Sequence, residues 1–232
     1  MITYGRSGST LTQELLNSLP GYCVRGENGN LTHFMAKMAH MVEWNESFTS
    51  RRDLASRRDS SAMSREERVY YQNLLGSTYD PWYGAELADP DDFRLSLFDL
   101  FAQKILQVPD DCRVSGFKEI RQWEHPAFFN THLDILRTSF PNTRFLFQTR
   151  NWEDVSRSGW WAKIPPEQVR AKITTANSLF EGYQSANPEA CFTIEFERFR
   201  EGIPFVRKIL DFLGEDLPDA RINSVLSNRL TH

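Results

Sequence analysis

Residues 4–16 read Tyr-Gly-Arg-Ser-Gly-Ser-Thr-Leu-Thr-Gln-Glu-Leu-Leu, and this stretch decides the fold. A short β-type lead runs into a turn of glycines and hydroxyl residues, and an apolar pattern at helical spacing follows. Gly5 and Gly8 let the backbone turn tightly and approach a ligand without a Cβ in the way. Because the N–H groups at a helix N-terminus point outward and attract anions, this order predicts a phosphate-binding loop.

The side chains of this turn suit an anion as well. Arg6 adds a forked cation, and Ser7, Ser9 and Thr10 add hydroxyl donors. The alternative is that Ser9 or Thr10 only caps the first helix. The ordinary nucleotide loop has four residues between its glycines and a lysine after the second one. This turn has neither feature, which disfavours an ATPase or a kinase.

A second segment is a candidate for the same site. Residues 144–150 read Arg-Phe-Leu-Phe-Gln-Thr-Arg and predict a strand, and Asn151 then predicts the N-cap of a helix. Arg150 therefore lies at the carboxyl end of a strand, where open α/β sheets bind ligands. Ser158 comes about two helical turns later and can face the same crevice. The alternative is an exposed arginine and a solvent-facing serine.

The sequence Arg-Ser-Gly-Ser-Thr at residues 6–10 resembles the 5′-phosphosulfate loop of sulfotransferases, which use 3′-phosphoadenosine 5′-phosphosulfate (PAPS). The spacing of Arg150 and Ser158 is similar to that of the 3′-phosphate site in the same family. The resemblance implies an α/β fold, a P-loop-like three-layer sandwich with a central, mostly parallel sheet flanked by helices. It also implies PAPS as co-substrate, adenosine 3′,5′-bisphosphate (PAP) as product, and no required metal. The nucleotide-binding residues that it implies are Arg6, Ser7, Gly8, Ser9, Thr10, Arg150 and Ser158.

Glu27 is the candidate base, because residues 20–27 read as a turn, a short strand and an acid at the carboxyl end of that strand. Arg-Gly-Glu after a phosphosulfate loop is similar to the tyrosylprotein sulfotransferases and to a broad group of bacterial sulfotransferases. In those enzymes the glutamate at this place is the catalytic base. The alternative is a surface glutamate paired with Arg25 or Arg6.

Lys118 lies where cytosolic sulfotransferases carry Lys-Thr-His, but Glu119 and Ile120 replace the Thr-His pair. The histidine base of that branch is therefore absent. By resemblance, Lys118 and Arg6 would stabilise charge during transfer, with Glu27 as the base. The alternative pairs Lys118 with Glu119. Glu119 and Arg121 either shape the acceptor pocket or form structural salt bridges, and the second role is favoured.

The length of 232 residues suits one sulfotransferase-like domain over residues 1–232, in which strand-like and helix-like segments alternate. Candidate strands are Ile2–Tyr4, Tyr22–Arg25, Arg113–Lys118, Arg144–Gln148 and Cys191–Glu195. Candidate helices are Ser9–Asn17, Leu31–Glu43, Phe93–Gln107, Phe128–Ser139, Asn151–Trp160, Glu167–Gln184, Pro204–Leu213 and Asp219–Leu226.

Residues 45–92 depart from this alternation and are predicted to be a variable insertion on the acceptor side. Arginines between residues 51 and 68 would suit an anionic glycan or an acidic peptide. Aromatic residues between 70 and 83 would suit a sugar face or an aromatic natural product. These two interpretations conflict, and the acceptor, a glycan, a natural product, another small molecule or a peptide tyrosine, stays open.

The remaining expectations come from composition. A net charge of −4 gives no general attraction to nucleic acid, and the absence of a run of about 18 apolar residues predicts no membrane span. Three scattered cysteines favour reduced thiols and a cytoplasmic protein. His33 and His40 lack the further ligands of a metal site. In the C-terminal tail only Arg229 offers a cation for the 3′-phosphate.

The sequence leaves the oligomeric state open. Two other classes of function stay as alternatives, a non-catalytic nucleotide-binding module and a P-loop kinase acting on a small molecule.

Overall fold

The structure is a computed structural model that describes residues 1–57, 63–73 and 77–227. The chain divides into two compact units. The first comprises Met1–Thr32 together with Ala102–His232, and the second comprises His33–Phe101. All site residues predicted from the sequence belong to the first unit.

The first unit contains a parallel sheet. Its strands are β1 (Tyr22–Arg25), β2 (Val114–Phe117), β3 (Phe145–Thr149) and β4 (Cys191–Glu195). β1 pairs with β2 and β3 pairs with β4. Ile2 joins the two pairs through parallel bridges to Glu119 and Phe147. The order across the sheet is therefore β1, β2, the N-terminal segment, β3 and β4, so that the segment before the Gly5–Gly8 turn is central.

The described residues form ten α-helices. They are α1 (Ser9–Asn17), α2 (Leu31–Trp44), α3 (Glu46–Ser56), α4 (Arg65–Asn73), α5 (Pro90–Phe101), α6 (Phe129–Ser139), α7 (Trp152–Ser156), α8 (Pro166–Ala186), α9 (Ile203–Leu213) and α10 (Asp219–Ser227). Residues 102–106 continue α5 as a π-helical turn. Short 3₁₀ turns include Gln122–Glu124, Gly159–Lys163 and Phe196–Glu201.

Two cores lie on opposite faces of the sheet, because successive residues of a strand point to opposite sides. On one face Leu146 belongs to an apolar cluster with residues of α1, α9 and α10. On the other face Phe147 stacks on Phe180 of α8 with ring centroids 4.9 Å apart, and Phe129 of α6 lies 6.4 Å from Phe147. This arrangement confirms the expected three-layer α/β sandwich.

The predicted elements differ from the structure in two places that matter for the site. The expected strand Ile2–Tyr4 is reduced to a bridge at Ile2, although Thr3 N also donates to Glu119 O at 3.0 Å. The expected helix Asn151–Trp160 ends at Ser156. Gly159 has φ 57°, a left-handed conformation that an α-helix cannot contain, and a 3₁₀ turn begins there.

The second unit contains the predicted insertion at residues 45–92. Arg51 forms a bidentate pair with the buried Asp80, at 2.8 and 3.1 Å. This pair joins α3 to the turn at residues 77–84. Arg52 donates to the carbonyls of residues 42 and 43, at 2.7 and 2.9 Å. Arg57 pairs with Asp53 and Glu67. The helices α3 and α4 bury no residue, so no apolar periodicity marks them. Arg58 and Asp59, also part of this arginine-rich stretch, lie outside the described residues.

Candidate active site

The turn after the central segment has a left-handed backbone at three positions. Gly5, Arg6 and Gly8 have φ values of 72°, 55° and 79°. A left-handed conformation costs a non-glycine residue on the order of 1–3 kcal/mol, so Arg6 keeps it only because its surroundings hold it. Gly8 is the N-cap of α1, and no side chain accepts a hydrogen bond there. Neither Ser9 nor Thr10 therefore caps the helix, which excludes the alternative of a simple helix cap.

Two aromatic rings cover the glycines of this loop. A Cβ added to Gly5 would lie 2.5 Å from the Trp160 ring, and one added to Gly8 would overlap the Phe196 ring. Trp160 is half-exposed, whereas the neighbouring Trp161 is buried. The close approach of these rings requires glycine at both positions.

Buried polar contacts anchor the loop from below. Ser7 is fully buried, and its hydroxyl lies 2.6 Å from that of Thr3. The Thr3 hydroxyl donates to the carbonyl of Gln148, at 2.8 Å, and Gln148 Nε2 donates to Ser7 O, at 2.9 Å. The hydroxyl of Ser7 is thus used inside the protein. Gln148 was missed from the sequence, although an amide within the apolar strand β3 is the signal that could have revealed it.

Arg6, Arg150 and Ser158 come together. Arg6 Nε donates to Ser158 Oγ at 2.8 Å, and the Arg150 guanidinium donates to Arg6 O at 3.2 Å. The guanidinium of Arg150 also lies over the Phe196 ring, 4.7 Å from its centroid. The sequence placed Ser158 on a helix, but the serine lies in extended conformation after α7. Ser158 thus contacts Arg6, and Arg150 contacts the same loop, through a local structure other than the predicted helix.

Tyr4 connects the loop to Arg150 and was missed from the sequence. Its hydroxyl accepts from Arg150 N at 2.6 Å and donates to Arg150 O at 2.9 Å. Trp161 Nε1 donates to Tyr4 O at 3.3 Å. Burial raises the pKa of the Tyr4 hydroxyl, which therefore keeps its proton and can donate. Its position directly before the glycine turn was the only sequence signal.

Glu27 and Lys118 form an ion pair, with Oε1 and Nζ 3.3 Å apart. The Lys118 side chain is 14% exposed and that of Glu27 is 35% exposed. Arg25, an alternative partner of Glu27, donates instead to the carbonyls of Leu106 and Gln107, at 2.9 and 3.1 Å. The structure therefore brings the predicted base and the predicted lysine together and leaves the carboxylate accessible.

Glu119 corrects an expectation, because the structure gives it backbone contacts where a salt bridge was predicted. It is fully buried, and its Oε2 accepts from the backbone N–H groups of Asn28 and Asn30, at 3.3 and 2.8 Å. Its Oε1 accepts from those of Ile120 and Arg121, at 2.8 and 3.2 Å. A carboxylate that accepts several backbone N–H groups is satisfied without a cation. Glu119 thereby ties the turn after Glu27 to the turn after Lys118.

Both groups of residues lie at one edge of the sheet. Glu27 follows β1, Lys118 follows β2, the glycine loop follows the central segment, and Arg150 follows β3. All these strands are parallel, so their carboxyl ends meet at the same edge. This is where open α/β sheets bind their ligands.

The remaining features are an aromatic core residue, possible metal ligands, possible membrane helices and the C-terminal tail. Tyr183 belongs to the aromatic core and donates to Asp134 Oδ1 at 2.8 Å. Within residues 1–57, 63–73 and 77–227, no group of three or more His, Cys, Asp or Glu residues could hold a metal ion. In the same part of the chain, no helix combines the length and the apolar character needed to cross a bilayer. Arg229 lies outside the described residues.

Comparison with known proteins identifies a similar fold and a family. The sulfotransferase domain from the Synechococcus PCC 7002 olefin synthase has a similar structure, with a TM-score of 0.54 and 17% sequence identity. The match covers 99% of this chain and 77% of that domain. No curated protein matches the sequence. The model of the sulfotransferase family matches residues 1–219, and the chain therefore belongs to the sulfotransferase family.

Proposed function

We propose that this protein transfers a sulfuryl group from PAPS to the hydroxyl of an acceptor, with Glu27 as the base. The observation that carries the proposal is the Glu27–Lys118 pair at the sheet edge that also holds the glycine loop and Arg150. Membership of the sulfotransferase family supports the reaction type. The choice of PAPS rests on the side chains.

The residues fit a nucleotide with two phosphate-bearing ends. The uncapped N-terminus of α1 and the left-handed turn at Gly5–Gly8 present backbone N–H groups to an anion. Arg150 Nε is buried, and none of the described residues accepts from it. An anion would supply the missing acceptor. In this assignment Arg6, Ser9 and Thr10 and the backbone of Ser7 and Gly8 hold the 5′-phosphosulfate, and Arg150 and Ser158 hold the 3′-phosphate.

Arg6 and Ser158 were assigned to different ends of the nucleotide, yet they bond to each other here. Either one anion contacts both, or their hydrogen bond opens when the nucleotide binds. The covering rings of Trp160 and Phe196 lie against the same loop. In the second case nucleotide binding involves a rearrangement of Arg6, within a loop whose base is fixed by Thr3 and Gln148.

The chain supplies acid–base and electrostatic help. An ionised glutamate accepts hydrogen bonds only, so Glu27 can take the proton of the attacking hydroxyl. The Lys118 ammonium, already beside Glu27, can donate to negative charge that develops on the leaving oxygen. When bound, PAPS supplies the sulfuryl group, and transfer yields a sulfate ester of the acceptor and PAP.

We further propose that residues 45–92 select the acceptor. Arg51, Arg52 and Arg57 are engaged in contacts inside the second unit, which weakens the case for an anionic acceptor. Tyr79 and Tyr83 are exposed. An acceptor with a sugar or aromatic face suits these rings better, and a screen of glycans, phenols and tyrosine peptides with labelled PAPS tests this preference.

The base is tested with Glu27→Gln, which keeps the shape of the side chain and removes its basicity. We expect the transfer rate to fall about 10²- to 10⁴-fold, the usual range for a lost general base. The affinity for PAP, measured by calorimetry, should stay within about threefold because Glu27 does not hold the nucleotide. Glu124→Gln, at an exposed glutamate of the same unit, is the matched control and should behave as wild type.

Each other outcome contradicts a defined part of the proposal. A near-normal rate in Glu27→Gln would remove Glu27 as the base. PAP binding without transfer to any acceptor of the screen would indicate a nucleotide-binding module. Tight binding of ATP with magnesium and none of PAP would indicate a kinase.

A further inference from the structure

The Tyr4 hydroxyl makes both of its hydrogen bonds to one residue. It accepts from the N–H of Arg150 at 2.6 Å and donates to the carbonyl of the same residue at 2.9 Å. Arg150 directly follows β3, so these two bonds fix the backbone at the point where the chain leaves the sheet. A single side chain thus binds both the N–H and the carbonyl of Arg150.

The Tyr4 ring is itself held rigidly. It is 1% exposed and lies parallel to the Phe180 ring, with centroids 6.4 Å apart. The Trp161 indole donates to its carbonyl at 3.3 Å. The hydroxyl therefore cannot move without disturbing the aromatic core, and its contacts to Arg150 are set before any ligand arrives.

The same short segment also holds the side chain of Arg150. The carbonyl of Arg6 accepts from the Arg150 guanidinium at 3.2 Å. Residues 4–6 thus hold both the backbone and the guanidinium of Arg150. Residues 4–6 and Arg150 lie far apart in sequence, and direct hydrogen bonds link them through both the backbone and the side chain of Arg150.

We propose that Tyr4 is a positioning residue for nucleotide selection: its hydroxyl sets Arg150 so that nucleotides bearing a 3′-phosphate bind better than those without one. This inference rests on the proposed function, in which Arg150 holds the 3′-phosphate. Tyr4 does not touch the nucleotide. It acts through the position of Arg150, and its effect should therefore appear only with ligands that carry the 3′-phosphate.

The test measures the affinities of PAP and adenosine 5′-monophosphate (AMP) for wild type and Tyr4→Phe by calorimetry. AMP carries the 5′-phosphate alone. We expect wild type to prefer PAP, and Tyr4→Phe to bind PAP about tenfold more weakly while AMP changes by less than about threefold, since the loss is that of hydrogen bonds that position Arg150. Adding Tyr4→Phe to Arg150→Ala should not lower the preference further, because the two residues act as one unit.

Tyr183→Phe is the matched control. Tyr183 is also a buried tyrosine of the aromatic core, and its hydroxyl donates to Asp134. It should leave the preference for PAP unchanged. Hydrogen exchange gives a second readout: the Arg150 amide should exchange faster in Tyr4→Phe, while the Gln148 amide, which donates to Ile2 O, should not.

The outcomes distinguish the proposed role of Arg150 from the proposed role of Tyr4. A wild type without preference for PAP over AMP would contradict the proposed role of Arg150 and the inference with it. A wild type that prefers PAP, with a Tyr4→Phe variant that keeps the preference, would overturn the inference alone. Equal weakening of PAP and AMP, or failure of Tyr4→Phe to fold, would assign Tyr4 a structural role only and would also overturn it.

Discussion

Glu119 is a buried carboxylate that accepts from four backbone N–H groups, so replacing one of its oxygens by an amide nitrogen should lower the stability of the protein. In Glu119→Gln one oxygen becomes an amide that donates, so it faces the N–H groups of either the Asn28–Asn30 turn or the Ile120–Arg121 turn. Leaving buried donors unsatisfied costs about 1–3 kcal/mol. We expect a loss of this size in the free energy of unfolding measured with urea, and none in Glu124→Gln. An unchanged stability would show that the Glu119 contacts contribute little.

Single residues also mark the limit of inference from sequence. The predicted site residues could be singled out because their motifs resemble those of a known family, although the contact between Arg6 and Ser158 was not foreseen. Tyr4 and Gln148 were missed, because a local signal such as the amide within β3 can mark a residue but not its distant partner: Tyr4 and Arg150 are 146 positions apart. No local pattern encodes such a contact.

At the scale of elements, the junction between the loop and α1 depends on Gly8. Gly8→Ala would place a Cβ inside the Phe196 ring. Gly8 also has φ 79°, a backbone conformation that is strained for any residue with a side chain. We expect a loss of about 1 kcal/mol or more in stability and weaker binding of PAP. The control is Gly182→Ala in α8, where an added Cβ meets nothing within 4 Å. It should stabilise the protein by about 0.5–1 kcal/mol, because alanine is the better helix former. Equal effects of the two variants would contradict this account.

Elements were predicted well where an apolar pattern marked them and poorly elsewhere. The predictions for α1, β1 and β4 match the structure residue for residue. The helices α3 and α4 were not predicted, because they bury no residue and so lack an apolar stripe. The central segment forms only a bridge at Ile2, because the chain turns into the loop directly after it.

At the scale of the whole molecule, each unit contains a carboxylate that an arginine stabilises in its charged form. The pKa of Asp80 is lowered mainly by its hydrogen bonds to Arg51, and the pKa of Glu215 is lowered mainly by those to Arg113. A carboxyl whose pKa is lower in the folded state adds stability above its unfolded pKa of about 4, and this stability is lost as the pH falls through the folded value.

We therefore expect the urea concentration at the midpoint of unfolding to decrease as the pH is lowered from about 5 to about 3. Asp80→Asn and Glu215→Gln should lower the stability at pH 7 and should each reduce its dependence on pH in that interval. Glu124→Gln supplies the comparison. A pH dependence that neither variant changes would mean that other carboxyl groups control acid unfolding.

The central place of the N-terminal segment also has a consequence for how the protein is made. The loop at residues 4–8 is synthesised well before its support, because Ser7 is held by Gln148, which lies 141 positions later in the chain. Pairings between distant residues form slowly and late. The nascent chain must therefore carry an unformed loop until β3 has emerged. In the proposed function, nucleotide binding would then require that β3 has joined the sheet, and the loop sequence alone would not be enough.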